Sequence, residues 1–155
     1  MITEVCLYLK NWFNANQPKF IGKFTIKDGV LKYTPNKLQG EDDMVIAENQ
    51  YYRIIGSVFN DGVYKHGSEE LTDEAFEGAV WLMAVPKSFL DIIAEIEAWQ
   101  AKYGDLNSPA MSPYSSESFG GYSYSKSNGG GAGVSSSTPT WQSVFRDRLW
   151  RYKKI

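Results

Sequence analysis

Between Asp105 and Thr140, 22 of 36 residues are Ser, Gly, Pro or Asn. A packed core cannot be built from such a stretch, because the apolar surface it can bury does not offset the entropy of ordering it. The fold must therefore be assembled from residues 1–104, with whatever the last fifteen residues add. The chain as a whole has the material for a core, at 43% hydrophobic and 15% aromatic residues. The same boundary divides the charge. Residues 1–104 carry 10 Lys/Arg and 15 Asp/Glu, a balance of −5, whereas residues 105–155 carry 6 and 3, a balance of +3. The sum of −2 is not the balance of a protein that holds duplex DNA by neutralising phosphates.

Within the first part the hydrophobic period changes several times. Val5, Leu9, Trp12 and Phe13 fall near one helical face, with Thr3 as a plausible N-cap. The stretch "KFTIKDGVLKY" then alternates with period two around Asp28-Gly29, the signature of a type I′ hairpin. Strand signals follow at Met44 to Ala47, Tyr51 to Val58 and Gly62 to Lys65, with a second turn at Asn60-Asp61-Gly62. Thr72, followed by two acidic residues, suggests one capped helical turn. "FEGAVWLMAV" reads as a buried strand, since Gly78 and its β-formers weaken a helix and Pro86 suits the start of a new one. From Pro86 to Tyr103, the spacing of Phe89, Ile92, Ile93, Ile96, Trp99 and Tyr103 predicts a long amphipathic helix, closed by Gly104.

The expected fold is α+β: a small β-barrel or curled antiparallel sheet flanked by an N-terminal helix and the helix 86–103. The expected organisation is a compact body over 1–104, an extended Ser/Gly-rich arm over 105–140 with a strand-like segment near 117–126, and a basic amphipathic helix over 141–155, capped by Thr140.

Motifs for catalysis or metal binding are sparse. One cysteine excludes an internal disulfide, and Cys6 beside an apolar helical face reads as a buried thiol. His66 is the only histidine and reads as a loop residue, with no companion for a metal site and no nucleophile elbow. The glycine run at 129–133 lacks the Gly-Lys-Ser/Thr ending of a phosphate loop. The carboxylates at 41–43 and from Glu69 to Glu77 lack calcium-loop spacing and read as solvated acidic loops. No catalytic residue, cofactor or metal is expected. No apolar run reaches the roughly 18 residues of a membrane span, and the N-terminus lacks the features of a signal peptide, so synthesis in the cytoplasm is expected.

The C-terminal basic helix carries Arg146, Arg148, Arg151, Lys153 and Lys154 beside Trp141, Trp150 and Tyr152. It can dock in an acidic protein groove, complete the core or touch nucleic acid, in that order. "SPYSSESFGGYSYSKS" alternates Tyr and Ser, so it reads either as low complexity or as a strand donated to a neighbour.

Four stretches together resemble a known family: "RIIGSVFNDGVYKH", "LTDEAFEGAVWLMAVPKSFLDIIAEIEAWQAKYG", "SPYSSESFGGYSYSKS" and "WQSVFRDRLWRYKKI". They are similar to head–tail connector proteins of tailed bacteriophages and prophages from Gram-positive hosts. The most specific piece is "SESFGGYSYSK" followed by "WQSVFRDRL"; "GSVFNDGVY" is a turn signature of wider occurrence. The resemblance implies a non-enzymatic adaptor in the virion neck, made in the host cytoplasm. Such a protein forms a homo-oligomeric ring, usually a dodecamer, beneath the portal protein. It meets a stopper or tail-terminator protein on the other side and passes genomic DNA without sequence-specific binding; no membrane is involved. It also implies an interface made by Phe119, Tyr122, Tyr124 and Lys126 in the arm, and by Trp141, Phe145, Arg148, Leu149, Trp150 and Tyr152 in the terminal helix. Many adaptors are almost wholly helical, so the β-rich region at 20–85 leaves the neighbouring role of stopper, or head-closure protein, as the alternative.

Overall fold

A computed structural model describes residues 1–104, 116–119, 122–125 and 139–154. By internal contacts the chain divides into two compact units, Ile2–Pro86 and Lys87–Ile155 together with Met1. This division lies at the start of the long helix, whereas the shift in composition lies at its end.

The first unit is an open antiparallel sheet with one short α-helix and a 3-10 turn at Lys37–Gln39. Helix α1 spans Ile2–Leu9, and the strands are β1 (Lys19–Lys27), β2 (Val30–Thr34), β3 (Tyr51–Ile55), β4 (Gly62–Lys65) and β5 (Glu74–Met83). Their order is β2-β1-β5-β3-β4, every neighbour antiparallel. The edges β2 and β4 do not pair with each other, so the sheet is open and the barrel expected as one option does not form. The Asp28-Gly29 hairpin forms as its chemistry demands, with φ of 53° and 73°. One face holds the core: Phe24, Ile26, Tyr52, Ile54, Val80 and Leu82 are all buried. These residues alternate along three adjacent strands, which is how a period-two pattern becomes one apolar face.

Several local expectations are corrected. Thr3 lies inside α1 rather than at its cap, because the helix begins at Ile2; its hydroxyl instead accepts the Val63 amide at 3.0 Å. Met44 to Ala47 is not a strand. Met44 and Ile46 still turn inward onto the core while Val45 is exposed, so the alternation is real but serves a strap with no ladder. Strand β3 stops at Ile55 rather than running to Val58, since Gly56 turns away with φ 89°. Thr72 begins no helix; it lies in a segment without regular structure leading to β5.

The second unit is built on α2 (Lys87–Tyr103), which buries Phe89, Ile92, Ile93, Ile96, Trp99 and Tyr103, the stripe read from the spacing. A two-stranded hairpin, β6 (Ser116–Phe119) with β7 (Tyr122–Ser125), and two short helices, α3 (Trp141–Val144) and α4 (Arg146–Trp150), complete it. Thr140 caps α3 as expected, in a reciprocal capping box with Ser143. The single helix expected over 141–155 is two, ending at Trp150. Phe145 between them has φ −101° and ψ 6°, outside the helical region, and its ring is buried. Both short helices pack on α2. There the Tyr152 ring meets Phe89 edge-on at 5.2 Å, and its hydroxyl lies 2.7 Å from the Ser88 hydroxyl.

Candidate docking surfaces

The loop from Gly56 to Asp61 joins β3 to β4 and is held by several side-chain hydrogen bonds. The Gly56 amide donates to the Asp61 carboxylate at 3.0 Å, which closes the turn. The Asn60 amide donates to the Ser57 hydroxyl at 2.7 Å. The Glu74 carboxylate, at the start of β5, accepts from the Ser57 hydroxyl, from the amides of Val58 (2.8 Å) and Phe59 (3.4 Å), and from Asn60 Nδ2 (3.0 Å). Asn60 is fully buried and clamps Thr72 from both sides, donating to its carbonyl at 3.0 Å and accepting its amide at 2.8 Å. These bonds, the Ser57 hydroxyl first, hold the Glu74 carboxyl below its ordinary range. Yet the loop's two apolar side chains point outward: Val58 is 81% and Phe59 67% exposed. The polar residues thus form a rigid mount, and the apolar pair is what it presents.

The carboxylates read as solvated loops are more specifically employed. Glu41 accepts from the Tyr33 hydroxyl and the Asn36 amide, both at 2.6 Å, and ties the loop after β2 to its strand. Glu69 accepts from the Tyr52 hydroxyl at 3.1 Å and sits 2.9 Å from His66 Nδ1. Burial pushes Glu69 upward, but hydrogen bonds from backbone amides, His66 and Tyr52 outweigh it, and its pKa is lowered. This group closes one end of a cavity of about 350 Å³ on the core face, otherwise lined by Leu31, Met44, Ile46 and neighbours. The cavity brings one histidine and one carboxylate together, and no group of three or more metal-ligating residues occurs among the described residues. Cys6 is buried, and burial pushes its thiol up to about 12, against the opposing charge of Arg53, so it is a poor nucleophile.

The residues implied as an interface by resemblance are distributed as follows. Phe119, Tyr122 and Tyr124 lie on the β6–β7 hairpin, with Phe119 opposite Tyr122; Lys126 lies outside the described residues. Trp141, Phe145 and Leu149 are buried in their own unit, while Trp150 is 56% exposed. Arg148 donates to Glu95 through both terminal guanidinium nitrogens, one pair at 2.8 Å. Of the terminal set Trp150 faces outward, beside the exposed Arg146, Asp147, Arg151, Lys153 and Lys154.

From the sequence, Val58 counts into a strand and Asn60 to Gly62 into a turn, and Phe59 falls in neither. The available signal was Gly, Ser and Asn-Asp-Gly bracketing two apolar residues, a loop-forming pattern with an apolar tip. Comparison with protein-family models, with curated proteins and with solved structures finds no match to this chain.

Proposed function

We propose that the chain is a structural head–tail adaptor of a tailed phage. It is a subunit of a homo-oligomeric ring, a dodecamer by the habit of the family it resembles, that sits beneath the portal and extends the DNA channel towards the tail. The observation that carries this reading is the 56–61 loop. The resembling motif "GSVFNDGVY" is the one that builds it, and its bonded polar residues mount two exposed apolar side chains. A rigid loop that presents Val and Phe to solvent suits contact with another protein. The excess of acidic residues over 1–104 also suits a channel lining that does not retain sliding DNA.

The five-stranded sheet of Ile2–Pro86 favours a second reading, the stopper or head-closure protein one level lower in the neck. Cryo-electron microscopy of the full chain mixed with portal separates the two. A ring seated directly on the portal supports the adaptor; a ring that binds only a preformed portal–adaptor assembly supports the stopper. A monomer that ignores portals but binds DNA tightly in low salt overturns both. Within the adaptor reading, Phe59→Ser should weaken ring formation while leaving the thermal midpoint nearly unchanged, because an exposed side chain contributes little to the fold.

A further inference from the structure

The face of the sheet opposite the core carries a cation with no hydrogen-bond or ion-pair partner among the described residues. Lys19, Trp81 and Arg53 lie side by side across β1, β5 and β3, in directly opposed register positions, and therefore on one face. The Arg53 guanidinium carbon stands 3.5 Å above the Trp12 ring centre and 5.6 Å from that of Trp81. Lys19 Nζ lies 5.0 Å from the same Trp81 ring. Arg53 Nε and Trp81 Nε1 are buried without a hydrogen-bond partner among the described residues. The two Nη atoms of Arg53 are not buried in this way and likewise find no acceptor or ion-pair partner among the described residues. Asp61 acts on Arg53 through space without forming an ion pair, and burial lowers the arginine's pKa.

Trp12 is held as the platform. Its turn contains three non-glycine residues with positive φ, Lys10 at 52°, Phe13 at 48° and Asn16 at 58°. The Phe13 carbonyl is also tied to the Ala84 amide at 2.8 Å. Left-handed backbone at such residues costs energy, which marks the turn as fixed by its surroundings. A guanidinium stacked on a fixed indole keeps its N–H edge in one plane, the geometry that accepts a carboxylate with two parallel bonds.

We propose that Arg53, on its Trp12 platform with Lys19 alongside, is a carboxylate-binding site, and that its occupant is an acidic side chain of a second copy of this chain. The second part rests on the ring reading above. Charge supports it: residues 2–86 carry 8 Lys/Arg against 12 Asp/Glu, so an identical neighbour offers carboxylates in excess. A ring also joins two different patches of each subunit, so a cation on one surface meets acids on another. An aromatic-backed arginine is the kind of residue that dominates such contacts.

The test uses the full chain. Acetate is titrated into the wild-type protein while the Arg53 Nε–H and Trp81 Nε1–H signals are followed by nitrogen-15 NMR; saturable shifts of both, lost in Arg53→Met, are expected. Ring assembly with portal is then measured against protein concentration. Arg53→Met should raise the half-assembly concentration about tenfold or more, with Arg53→Lys intermediate because the fork is lost but the charge kept. The thermal midpoint of Arg53→Met should be unchanged or higher, since an unpaired desolvated charge is removed; a merely structural arginine would lower it. Absence of acetate shifts overturns the site. Shifts with unaltered assembly by Arg53→Met overturn the second copy as occupant and leave the ring reading standing. A wild-type chain that forms no ring overturns that reading and the occupant together, while the acetate result still decides the site.

Discussion

At Gly78 the space beside the backbone is already taken: a β-carbon there would run into the Ile55 carbonyl oxygen of β3. The sequence suggested only that this glycine disfavours a helix; the closeness of the neighbouring strand explains why the position holds no side chain. Gly78→Ala should destabilise the protein by about 2–3 kcal/mol, read as the shift in urea midpoint, because a backbone carbonyl cannot move aside as a side chain tip can. Asn60 is the complementary case, a buried amide whose bonds to Thr72 and Glu74 leave no spare polar atom unpaired. Asn60→Ala removes the bonds to both backbone groups of Thr72 and to Glu74 and leaves a gap at a buried site, and should cost about 2–3 kcal/mol. Hydrogen exchange should then accelerate at Val58 and Phe59 before it does at Tyr52 and Ile54. Asn60 was legible as a turn residue. Its burial was not, since it depends on Thr72 and Glu74, twelve and fourteen residues away in the chain.

Elements with a strong local code came out as their sequence reads. The Asp28-Gly29 hairpin needs only positive φ at two residues, and α2 needs only the spacing of its apolar stripe. Elements without such a code did not. The strap at 44–46 alternates like a strand, and only the lack of ladder pairing with any strand of the sheet shows that it is none. The C-terminal helices lie between the two cases. Thr140→Ala should remove the cap of α3 and cost ~1 kcal/mol. The Arg148–Glu95 bond joins α4 to α2, and both side chains remain more than a third exposed. A double-mutant cycle should therefore give a coupling of only ~0.5–1 kcal/mol in low salt, shrinking in high salt, despite the two-bond geometry. The basic character of Arg148 was plain from the sequence, but its engagement with an acid fifty-three residues earlier was not.

For the whole molecule, the distribution of carboxylates predicts a response to acid. Glu41, Glu69, Glu74 and Glu95 all have lowered pKa values, each through hydrogen bonds that the unfolded chain lacks. For a group lowered on folding, the stabilisation is fully present above the ordinary value of 4.5 and is lost as the pH falls through the folded value beneath it. Urea midpoints should therefore be nearly flat from pH 7 to about 5 and fall steeply below 4.5. Glu74→Gln and Glu95→Gln should each flatten that fall.

The sequence by itself determined how composition varies along the chain. It concentrated core-forming residues in 1–104, set the periods that make β1, β2 and α2, and placed the charge, because these properties depend on neighbours within a few residues. Only the tertiary structure decided that the sheet stays open, that α2 groups with the C-terminal helices, that Glu74 mounts an apolar loop tip, and that Arg53 is stacked on a tryptophan. Each of those depends on which distant segments meet. That is fixed by the burial of the whole apolar surface at once and by the need to satisfy buried polar groups, neither of which any local pattern records.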